Sequence, residues 1–570
     1  MAKKHSTRTK RPVTQPPPAS SPVAGTISPG ARRTVLIAFA FSGMAALMYE
    51  VLWSRELSLV FGSTVYAVSM MLAAFMSGLS LGAFLGGKWA DRTDNPVALF
   101  AKLEFGIGVL GLFTLVIVQA LPGIYFTVFD VARPPFAIFF LLQMALSFLV
   151  MLAPTTLMGA TFPVVTKIAT LAIDEVGQDV GTVYSVNTLG SIAGSLGTGF
   201  LLIPLLGVKA TTVAAACVNI AVAAAVWWAS GKRMTSRLAS VGVVLLVGAL
   251  TAALMTQQAA FAHNFYRIGD FSTAEEYREY RDSLLVRFFA DDIHGRVVVL
   301  EEPGGDLLMQ NSGKVEGSTG PLDLQTTSLL ARLPMASASS TETVLVIGLG
   351  TGFTARAALA AGAGSVDTVE INDAVVEASR LFVGDTVDSN PRHATHVTDA
   401  RNYLELTHTR YDVVTSEPSY PLSTHVSHLF TREFYELVES RLNDDGVFCQ
   451  WIPRYLLRDE DTLMMLKTFT AVFPNTHVWG SNQGQDEAVD LLLIGIKGNR
   501  RPDPAVVQAA VLHAVGPVDF SYYAGPDEVA SATSDAALPL NTDDRPLLEF
   551  RTPRNQIEFY REGLEGLRRN

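Results

Sequence analysis

A glycine-rich segment is the first place where this sequence could do chemistry. Gly348 to Gly352 follow the apolar run Val344 to Ile347, and this pattern predicts a buried strand that ends in a tight turn before a helix. Glycine lets a ligand approach the backbone, and a helix N-terminus offers free N–H groups. Glu370 ends the next predicted strand, where its carboxylate can accept hydrogen bonds from a ribose diol. The segment therefore predicts a nucleoside site formed by Gly348, Gly350, Thr351, Gly352 and Glu370.

Two further acids follow the next predicted strands. Asp399 and Ala400 come after the strand 394–398, where a carboxylate and a backbone amide can contact the edge of an adenine ring. Glu417 follows the strand 411–416 and would project over a bound nucleoside. Each acid also has a structural interpretation, since Asp399 could cap the next helix and Glu417 could be a solvated loop acid.

The composition divides the chain into two unlike halves. Hydrophobic residues make up 49% of the 570 residues and charged residues 17%, but residues 34 to about 257 are almost free of charge. A chain of this length exceeds what one core usually holds, so we expect at least two domains. The net charge of −11 disfavours nucleic acid as a partner, because phosphate binding needs a basic face. Cys217 and Cys449 are the only cysteines, so we predict neither a disulfide nor a metal site.

The first half of the chain has the character of a membrane protein. Residues 1–33 form a basic tail rich in Pro and Ser, which we expect to be disordered. Residues 34–257 are predicted to be a transmembrane domain of about seven helices, because the apolar segments are long enough to cross a lipid bilayer. These segments lie at about 34–53, 64–87, 97–121, 135–153, 183–206, 210–229 and 238–257. The sequence therefore predicts a multi-pass protein of the cell (inner) membrane.

The charges of the loops indicate an orientation in that membrane. Lys88, Arg92 and Lys167 follow even-numbered spans, and the positive-inside rule then places the N-terminus in the cytoplasm. Seven spans would put the C-terminal domain outside, which conflicts with a cytosolic supply of adenosine cofactors. The side of the membrane that carries this domain is therefore left open by the sequence.

From about residue 280 the pattern becomes that of a soluble α/β protein. Residues 281–340 contain paired strands and are predicted to form a small β-subdomain. Residues 341–500 alternate strands with helical stretches, as in a mostly parallel sheet with crossover helices, which predicts a Rossmann-like domain. Residues 501–570 are expected to be a C-terminal extension of loops with a short terminal helix.

The order of these motifs resembles the spermidine synthase family of aminopropyltransferases. The residues that carry the resemblance are Gly348-Leu-Gly-Thr-Gly352, Val369-Glu370, Asp399-Ala400 and Tyr411 to Pro421. The membrane half, with Ser42 to Trp53 and Phe61 to Tyr66, is similar to bacterial membrane-fused spermidine synthase-like proteins.

The resemblance carries several expectations. It implies a class I methyltransferase-like Rossmann core behind a small N-terminal β-subdomain, with decarboxylated S-adenosylmethionine as co-substrate. The glycine loop and Glu370 would bind that co-substrate, and Asp399 and Ala400 would contact its adenine. The acceptor would be a polyamine or a related amine, and the enzyme would be a homodimer.

Several positions depart from the family pattern. Thr351 stands where the family has an Asp that helps hold the aminopropyl amine of the co-substrate. If Pro421 is aligned with the family's proline, Glu417 takes the position of the catalytic base and Tyr420 replaces a second Asp. Gln325 lies where the family's Tyr-His/Gln-Glu substrate motif is reduced to Leu-Gln-Thr. The residues predicted to contact the substrate are Gln325, Tyr420 and Asp323, with Asp543 and Asp544 as further candidate acids.

Two other functions remain open at this stage. The missing Asp at Thr351 favours methyl transfer from S-adenosylmethionine, because that Asp distinguishes the two co-substrates. Glu50 and Glu104, at membrane depth, favour an amine transporter or sensor whose soluble domain only binds a nucleoside, since buried ionisable groups often line a pathway. The structural interpretation of these two acids is interfacial snorkelling and one buried pair.

Overall fold

The computed structural model describes residues 28–132, 135–170, 175–229, 274–421, 423, 426–454, 457–482, 484 and 488–569. The predicted span 238–257 and most of the predicted tail lie outside these ranges. Within them the chain forms a bundle of long apolar helices, a small antiparallel sheet and a larger mixed sheet with helices on both faces.

The described part of the membrane-like half consists of six helices. They are α1 (Pro29–Phe61), α2 (Val65–Arg92), α3 (Pro96–Ala132), α4 (Phe136–Ala169), α5 (Val176–Gly197) and α6 (Ile203–Ala229). Five continuous stretches are long and apolar enough to cross a membrane, and the last, 176–229, joins α5 to α6 through a π-helical turn. Gly207, with a φ of 75°, breaks this stretch between the predicted spans 183–206 and 210–229. The total of seven spans stays a prediction.

Helices α2 and α4 pack closely through small residues. Gly82 faces Thr156, and a Cβ at Gly82 would lie 2.0 Å from the Thr156 carbonyl oxygen, so no larger residue fits. One turn further along, Gly86 faces Ala160 in the same way. Successive contacts therefore pair higher-numbered residues of α2 with higher-numbered residues of α4, which means that the two helices run in the same direction.

Helices α1 and α5 also run in the same direction. Near their first turns, Arg32 pairs with Asp179 at 2.6 Å. Further along both helices, Gly43 packs against Asn187. The first turns of α1 and α5 therefore lie at the same end of the bundle.

The soluble part of the chain rests on the other end of this bundle. Arg55, near the end of α1, donates a hydrogen bond to the carbonyl oxygen of Asp292. Tyr66, near the start of α2, donates to the carbonyl oxygen of Phe550 at 3.1 Å. The start of α1 and the soluble domain thus lie at opposite ends of the helical bundle.

A four-stranded antiparallel sheet follows the short helix α7 (Ala274–Ser283). Its strands lie side by side in chain order and are β1 (Leu285–Asp292), β2 (Gly295–Glu301), β3 (Leu307–Asn311) and β4 (Lys314–Ser318). One face of the sheet packs Val297, Val299 and Met309 against Ala374 and Val375 of the larger domain. This sheet occupies the predicted β-subdomain.

A buried arginine ties this small sheet to the bundle. Arg296 of β2 donates to Asp291 and to Glu56 of α1, both at 2.8 Å, and is only 7% exposed. The second oxygen of Asp291 accepts a hydrogen bond from the backbone N–H of Val208, directly after the break at Gly207. One carboxylate thus links the β-subdomain to the turn between two membrane-like helices.

The larger sheet has eight strands in the order β12-β10-β11-β9-β8-β5-β6-β7. The strands are β5 (Thr343–Ile347), β6 (Ser365–Glu370), β7 (His393–Val397), β8 (Tyr411–Ser416), β9 (Leu442–Pro453), β10 (Thr476–Ser481), β11 (Asp490–Ile496) and β12 (Phe520–Ala524). Strands β5 to β9 pair in parallel, whereas β10 to β12 are antiparallel additions. The predicted Rossmann-like fold is confirmed.

Helices cover both faces of this sheet. They are α8 (Pro321–Ser337), α9 (Phe353–Ala360), α10 (Asp373–Val383), α11 (Ala400–Leu406), α12 (Arg432–Arg441), α13 (Asp459–Thr470), α14 (Pro504–Val515), α15 (Pro526–Ala532) and α16 (Leu547–Arg569). The last seventy residues were expected to be loops with a short terminal helix, and this description is wrong. They supply three helices and the edge strand β12, which pairs with β10 and so completes the sheet.

Candidate active site

The glycine loop between β5 and α9 turns sharply at the edge of the sheet. Gly348, Gly350 and Gly352 have φ values of 88°, 50° and 81°, which glycine adopts without a steric cost. A Cβ at Gly348 would also lie 3.1 Å from the carbonyl oxygen of Glu417. The loop therefore needs glycine for two reasons, its positive φ angles and the close approach of Gly348 to the backbone of Glu417 after β8.

Glu370, at the end of β6, holds this loop in place. Its two carboxylate oxygens accept hydrogen bonds at 3.0 Å from the backbone N–H groups of Leu349 and Asn372. Burial raises the pKa of Glu370, while these backbone donors oppose the rise. Each carboxylate oxygen has a second lone pair, so Glu370 can support the loop and still accept from a ribose.

Asp399 forms the helix cap that the sequence suggested, and its contact with an adenine ring stays a prediction. Its side chain accepts a hydrogen bond from the backbone N–H of Asn402 at 3.0 Å and so caps α11. Asp399 and Ala400 also line the same cavity as the glycine loop. His428 Nε2 lies 3.9 Å from Asp399 and lines the cavity on the same side.

The cavity that these elements enclose has a volume of about 490 Å³. It lies between the carboxyl ends of the parallel strands and the β-subdomain, where ligands bind in such folds. The predicted residues that line it are Gly348, Gly350, Thr351, Glu370, Asp399, Ala400, Glu417, Tyr420 and Asp323. Most of the residues predicted for the site thus line one cavity.

Other predicted residues lie away from the cavity lining. Gln325 was predicted to contact the substrate, but its amide donates to Ser481 at 3.0 Å and to the Asp519 carbonyl oxygen at 2.8 Å. Its neighbours Thr326 and Thr327 line the cavity instead, because successive helical residues point in different directions. Gly352 is the N-cap of α9 and shapes the loop from outside the lining.

The candidate acids near the C-terminus also lie elsewhere. Asp543 forms a two-pronged pair with Arg401 at 2.9 and 2.6 Å. Burial raises the pKa of Asp543, but the pairing with Arg401 outweighs it and leaves that pKa below its usual value. Neither Asp543 nor Asp544 is among the residues that line the cavity. Asp543 thus neutralises an arginine beside α11 rather than holding a substrate.

Glu417 is the acid that faces the cavity from the loop after β8. Its Oε2 lies 3.2 Å from the Thr354 hydroxyl, which donates a hydrogen bond to it. Burial raises the pKa of Glu417 to about 8; the Thr354 hydrogen bond opposes the rise, and the charges of Asp323 and Asp490 add to it. A carboxyl group with such a pKa can exchange a proton near neutral pH.

Two more buried carboxyl groups share the cavity with Glu417. Asp323, in the first turn of α8, accepts a hydrogen bond from the Ser318 hydroxyl, and burial raises its pKa. Asp490, at the start of β11, accepts from the Thr326 hydroxyl at 2.9 Å, and burial raises its pKa to about 6. The sequence missed Asp490, because an acid at the start of an apolar strand carries no motif.

A lysine also lies among these acids. Lys314, the first residue of β4, is 6% exposed, and its Nζ lies 2.7 Å from Glu316 and 3.9 Å from the ring centroid of Tyr420. The other oxygen of Glu316 accepts from the Ser419 hydroxyl at 2.8 Å. The β-subdomain and the loop after β8 therefore meet through a polar network that the sequence did not reveal.

These features define a class I methyltransferase-like, Rossmann-type domain, with a glycine loop and two acids at the ends of successive strands. Residues 324–480 match the family model of the spermine/spermidine synthase domain. Over these residues the chain is similar to the spermine/spermidine synthase family.

Curated relatives match over most of their length. The polyamine aminopropyltransferase of Oceanobacillus iheyensis is 22% identical over 474 residues, which cover 80% of this chain and 87% of the relative. Polyamine aminopropyltransferase 1 of Streptomyces coelicolor is 24% identical over 446 residues, which cover 76% and 78%. Both matches contain more residues than the chain has after position 274, so both extend into the helical half.

Solved structures are similar to the soluble half. Spermidine synthase from Thermotoga maritima gives a TM-score of 0.36 at 21% identity and covers 44% of this chain and 87% of the other. A probable spermidine synthase from Corynebacterium glutamicum gives 0.37 at 15% identity and covers 45% and 96%.

Proposed function

We propose that this protein is a membrane-bound aminopropyltransferase, which transfers the aminopropyl group of decarboxylated S-adenosylmethionine to a polyamine-type amine. One observation carries the proposal. Glu417, Asp323 and Asp490 lie in the cavity that also contains the glycine loop and Glu370. A nucleoside site beside several buried acids suits a nucleoside donor and a cationic acceptor.

The donor would occupy the side of the cavity formed by the parallel strands. Glu370 would accept hydrogen bonds from the ribose, and Asp399 and Ala400 would contact the adenine. The glycine loop brings its backbone close to the sulfonium end of the donor, next to Thr351. The likeness to the polyamine aminopropyltransferases supports the choice of the decarboxylated donor.

The acceptor would lie among the acids on the other side of the cavity. An amine must be neutral to attack, so its ammonium form first gives a proton to Glu417. The amine nitrogen then forms a bond to the methylene carbon beside the sulfonium sulfur, the carbon–sulfur bond breaks, and its electron pair stays on sulfur. Methylthioadenosine leaves as a neutral thioether, and the positive charge passes to the new secondary ammonium.

Asp323 and Asp490 would hold the part of the acceptor that does not react. Desolvation makes it costly for these neighbouring acids to be charged together without a cation. An ammonium group between them removes that cost, because it supplies the missing positive charge. Burial raises the pKa of both acids, and an ammonium group beside them would favour their charged forms.

The helical half would anchor the enzyme in a lipid bilayer. Five described stretches have the length and apolarity needed to cross a membrane, and the soluble domain attaches to one end of their bundle. A homodimer remains an expectation from the family resemblance alone.

Methyl transfer from S-adenosylmethionine is the second candidate function. Thr351 lines the cavity where the family's amine-binding Asp would stand, so the loop has lost one of the groups that favour the decarboxylated donor. If the carboxylated donor binds, its methyl carbon rather than its propyl carbon would be attacked.

Transport or sensing is the other alternative, and Glu104 bears on it. Glu104 is fully buried in the bundle, and its two oxygens accept from Ser42 at 2.5 Å and from Asn219 at 2.7 Å. Through these hydrogen bonds Glu104 connects α3 to α1 and α6. This structural role explains the buried acid without a transport pathway.

One experiment separates the three candidates. The purified full chain is titrated with S-adenosylmethionine, its decarboxylated form and methylthioadenosine, and then incubated with putrescine or spermidine while mass spectrometry follows the products. We expect an aminopropylated amine and methylthioadenosine in equal amounts. Methylated amine would favour the second candidate, and binding without turnover, together with amine flux in proteoliposomes, would favour the third.

A further inference from the structure

The cavity already contains one ammonium group of its own. The Nζ of Lys314 lies 3.9 Å from the ring centroid of Tyr420 and 2.7 Å from Glu316, and the residue is 6% exposed. An aromatic face with an adjacent carboxylate is a favourable site for an alkylammonium ion. Lys314 therefore fills a position that an acceptor amine could otherwise take.

The backbone fixes this lysine firmly. Ser312 and Gly313 have φ values of 49° and 83°, as required at the two central positions of a tight type I′ hairpin turn. Asn311 and Lys314 are the paired residues on either side of that turn. The turn sets where the side chain begins, and its burial and its pair with Glu316 hold Nζ beside Tyr420.

The lysine also changes the charge that an acceptor meets. Burial raises the pKa of Asp323, Glu417 and Asp490, and the positive charge of Lys314 opposes that rise at each of the three. Lys314 is thus close enough to act on every acid of the acceptor side. With Glu316 compensated by Lys314, three acids remain to hold a cationic substrate.

We propose that Lys314 sets the length of the acceptor by occupying the ammonium position at Tyr420 and Glu316. The inference rests on the proposed aminopropyl transfer. One nitrogen of a diamine would lie at Glu417 and the other between Asp323 and Asp490. A third ammonium, as in a triamine, would meet the lysine. The enzyme therefore favours a short diamine acceptor over a longer polyamine.

The test compares putrescine with spermidine as acceptors for the wild type and for Lys314→Ala, which removes both the charge and the bulk of the side chain. We expect the ratio of kcat/KM for spermidine to that for putrescine to rise about tenfold in Lys314→Ala, in line with the worth of one cation–π contact and a paired charge. Lys314→Arg keeps the charge and is the matched control, with a ratio within about twofold of the wild type.

Binding provides a second measurement that does not need turnover. Isothermal titration of both amines into the protein loaded with methylthioadenosine gives the same ratio from dissociation constants, and the affinity for methylthioadenosine shows that each variant is folded. An unchanged ratio in Lys314→Ala with intact nucleoside binding overturns the inference. If the wild type transfers no aminopropyl group but the binding ratio shifts, the proposed function fails and the role of Lys314 stands.

Discussion

The Thr354 hydroxyl, in the first turn of α9, donates a hydrogen bond to Glu417 across 3.2 Å. This contact joins the helix that follows the glycine loop to the loop that follows β8. This contact links the proposed donor side of the cavity to the proposed acceptor side. The helix that follows the glycine loop positions the carboxylate that is proposed to remove the proton.

Replacing Glu417 with Gln should remove catalysis without removing the donor site. The amide keeps the size of the side chain and can still accept from Thr354, but it cannot take a proton from the acceptor. We expect kcat to fall by about 10²- to 10⁴-fold, the usual contribution of a positioned base. Methylthioadenosine affinity, measured by calorimetry, should change little. A variant that retains more than a tenth of the wild-type kcat would remove Glu417 from this role.

The rate should depend on pH through the same group. Burial, together with nearby Asp323 and Asp490, raises the pKa of Glu417 to about 8, and only the ionised carboxylate can accept a proton. We expect log kcat/KM at low acceptor concentration to rise with pH below about 8 and then level off. A profile that is flat from pH 6 to 9 would mean that the ionisation of Glu417 does not limit the reaction.

The stability of the empty protein should show the opposite trend. Asp490, like Glu417, has a folded-state pKa above its unfolded value, about 6 because of burial, so its proton favours the folded state. That stabilisation is complete below the unfolded pKa and is lost as pH rises through about 6. We expect the Tm to fall between pH 4.5 and 7.5, and to fall less in Asp490→Asn. Equal slopes for both proteins would contradict this assignment.

Arg296 offers a test of the link between the soluble domain and the bundle. Its loss would remove the ion pairs that Glu56 and the buried Asp291 form with it, which costs about 3–5 kcal/mol in comparable buried pairs. Asp291 would keep Arg55, at 4.0 Å, and the N–H of Val208. The backbone N–H of Val208 donates a hydrogen bond to Asp291. We expect Arg296→Ala to increase hydrogen exchange at this N–H group. The pair of Arg287 with Glu301 is the control, because solvent screens this exposed pair and Arg287→Ala should leave that exchange unchanged. Similar exchange in both variants would show that the link carries little energy.

Sequence was sufficient for the parts of the site that follow strand ends. The glycine loop, Glu370 and Asp399 each lie at or just after the end of a predicted strand, and the ends of parallel strands meet at one edge of a sheet. Asp490 and Lys314 could not be found in this way, because β11 is an antiparallel addition and β4 belongs to another sheet. Their position depends on how two sheets pack, which no local pattern records.

Two features of the structure, the direction of Gln325 and the strand β12, differ from what the sequence led us to expect. The side chain of Gln325 points to Ser481 rather than into the cavity, because the register of α8 directs Thr326 and Thr327 inward. The strand β12 was missed since its five residues carry no clear alternation and gain their order by pairing with β10. Both outcomes depend on contacts between segments that lie well apart in the sequence.

The orientation of the protein in a membrane can be tested with two reporters. The start of α1 and the soluble domain lie at opposite ends of the bundle, so the two chain ends should lie on opposite sides of the membrane. The basic residues Arg32, Lys88, Arg92 and Lys167 lie at the end where α1 begins, whereas Arg55, at the other end, is engaged by Asp292. The positive-inside rule therefore predicts that the end of the bundle where α1 begins faces the cytoplasm and that the soluble domain faces outward.

A reporter enzyme that is active only outside the cell should therefore work when it is fused after residue 570 and fail when it is fused ahead of residue 28. A fluorescent protein that folds only in the cytoplasm should show the reverse pattern, which makes the two fusions controls for each other. Both termini on the same side would contradict the geometry of the bundle. Opposite sides with the soluble domain inside would uphold that geometry and overturn the charge argument, and the donor would then meet the enzyme directly in the cytoplasm.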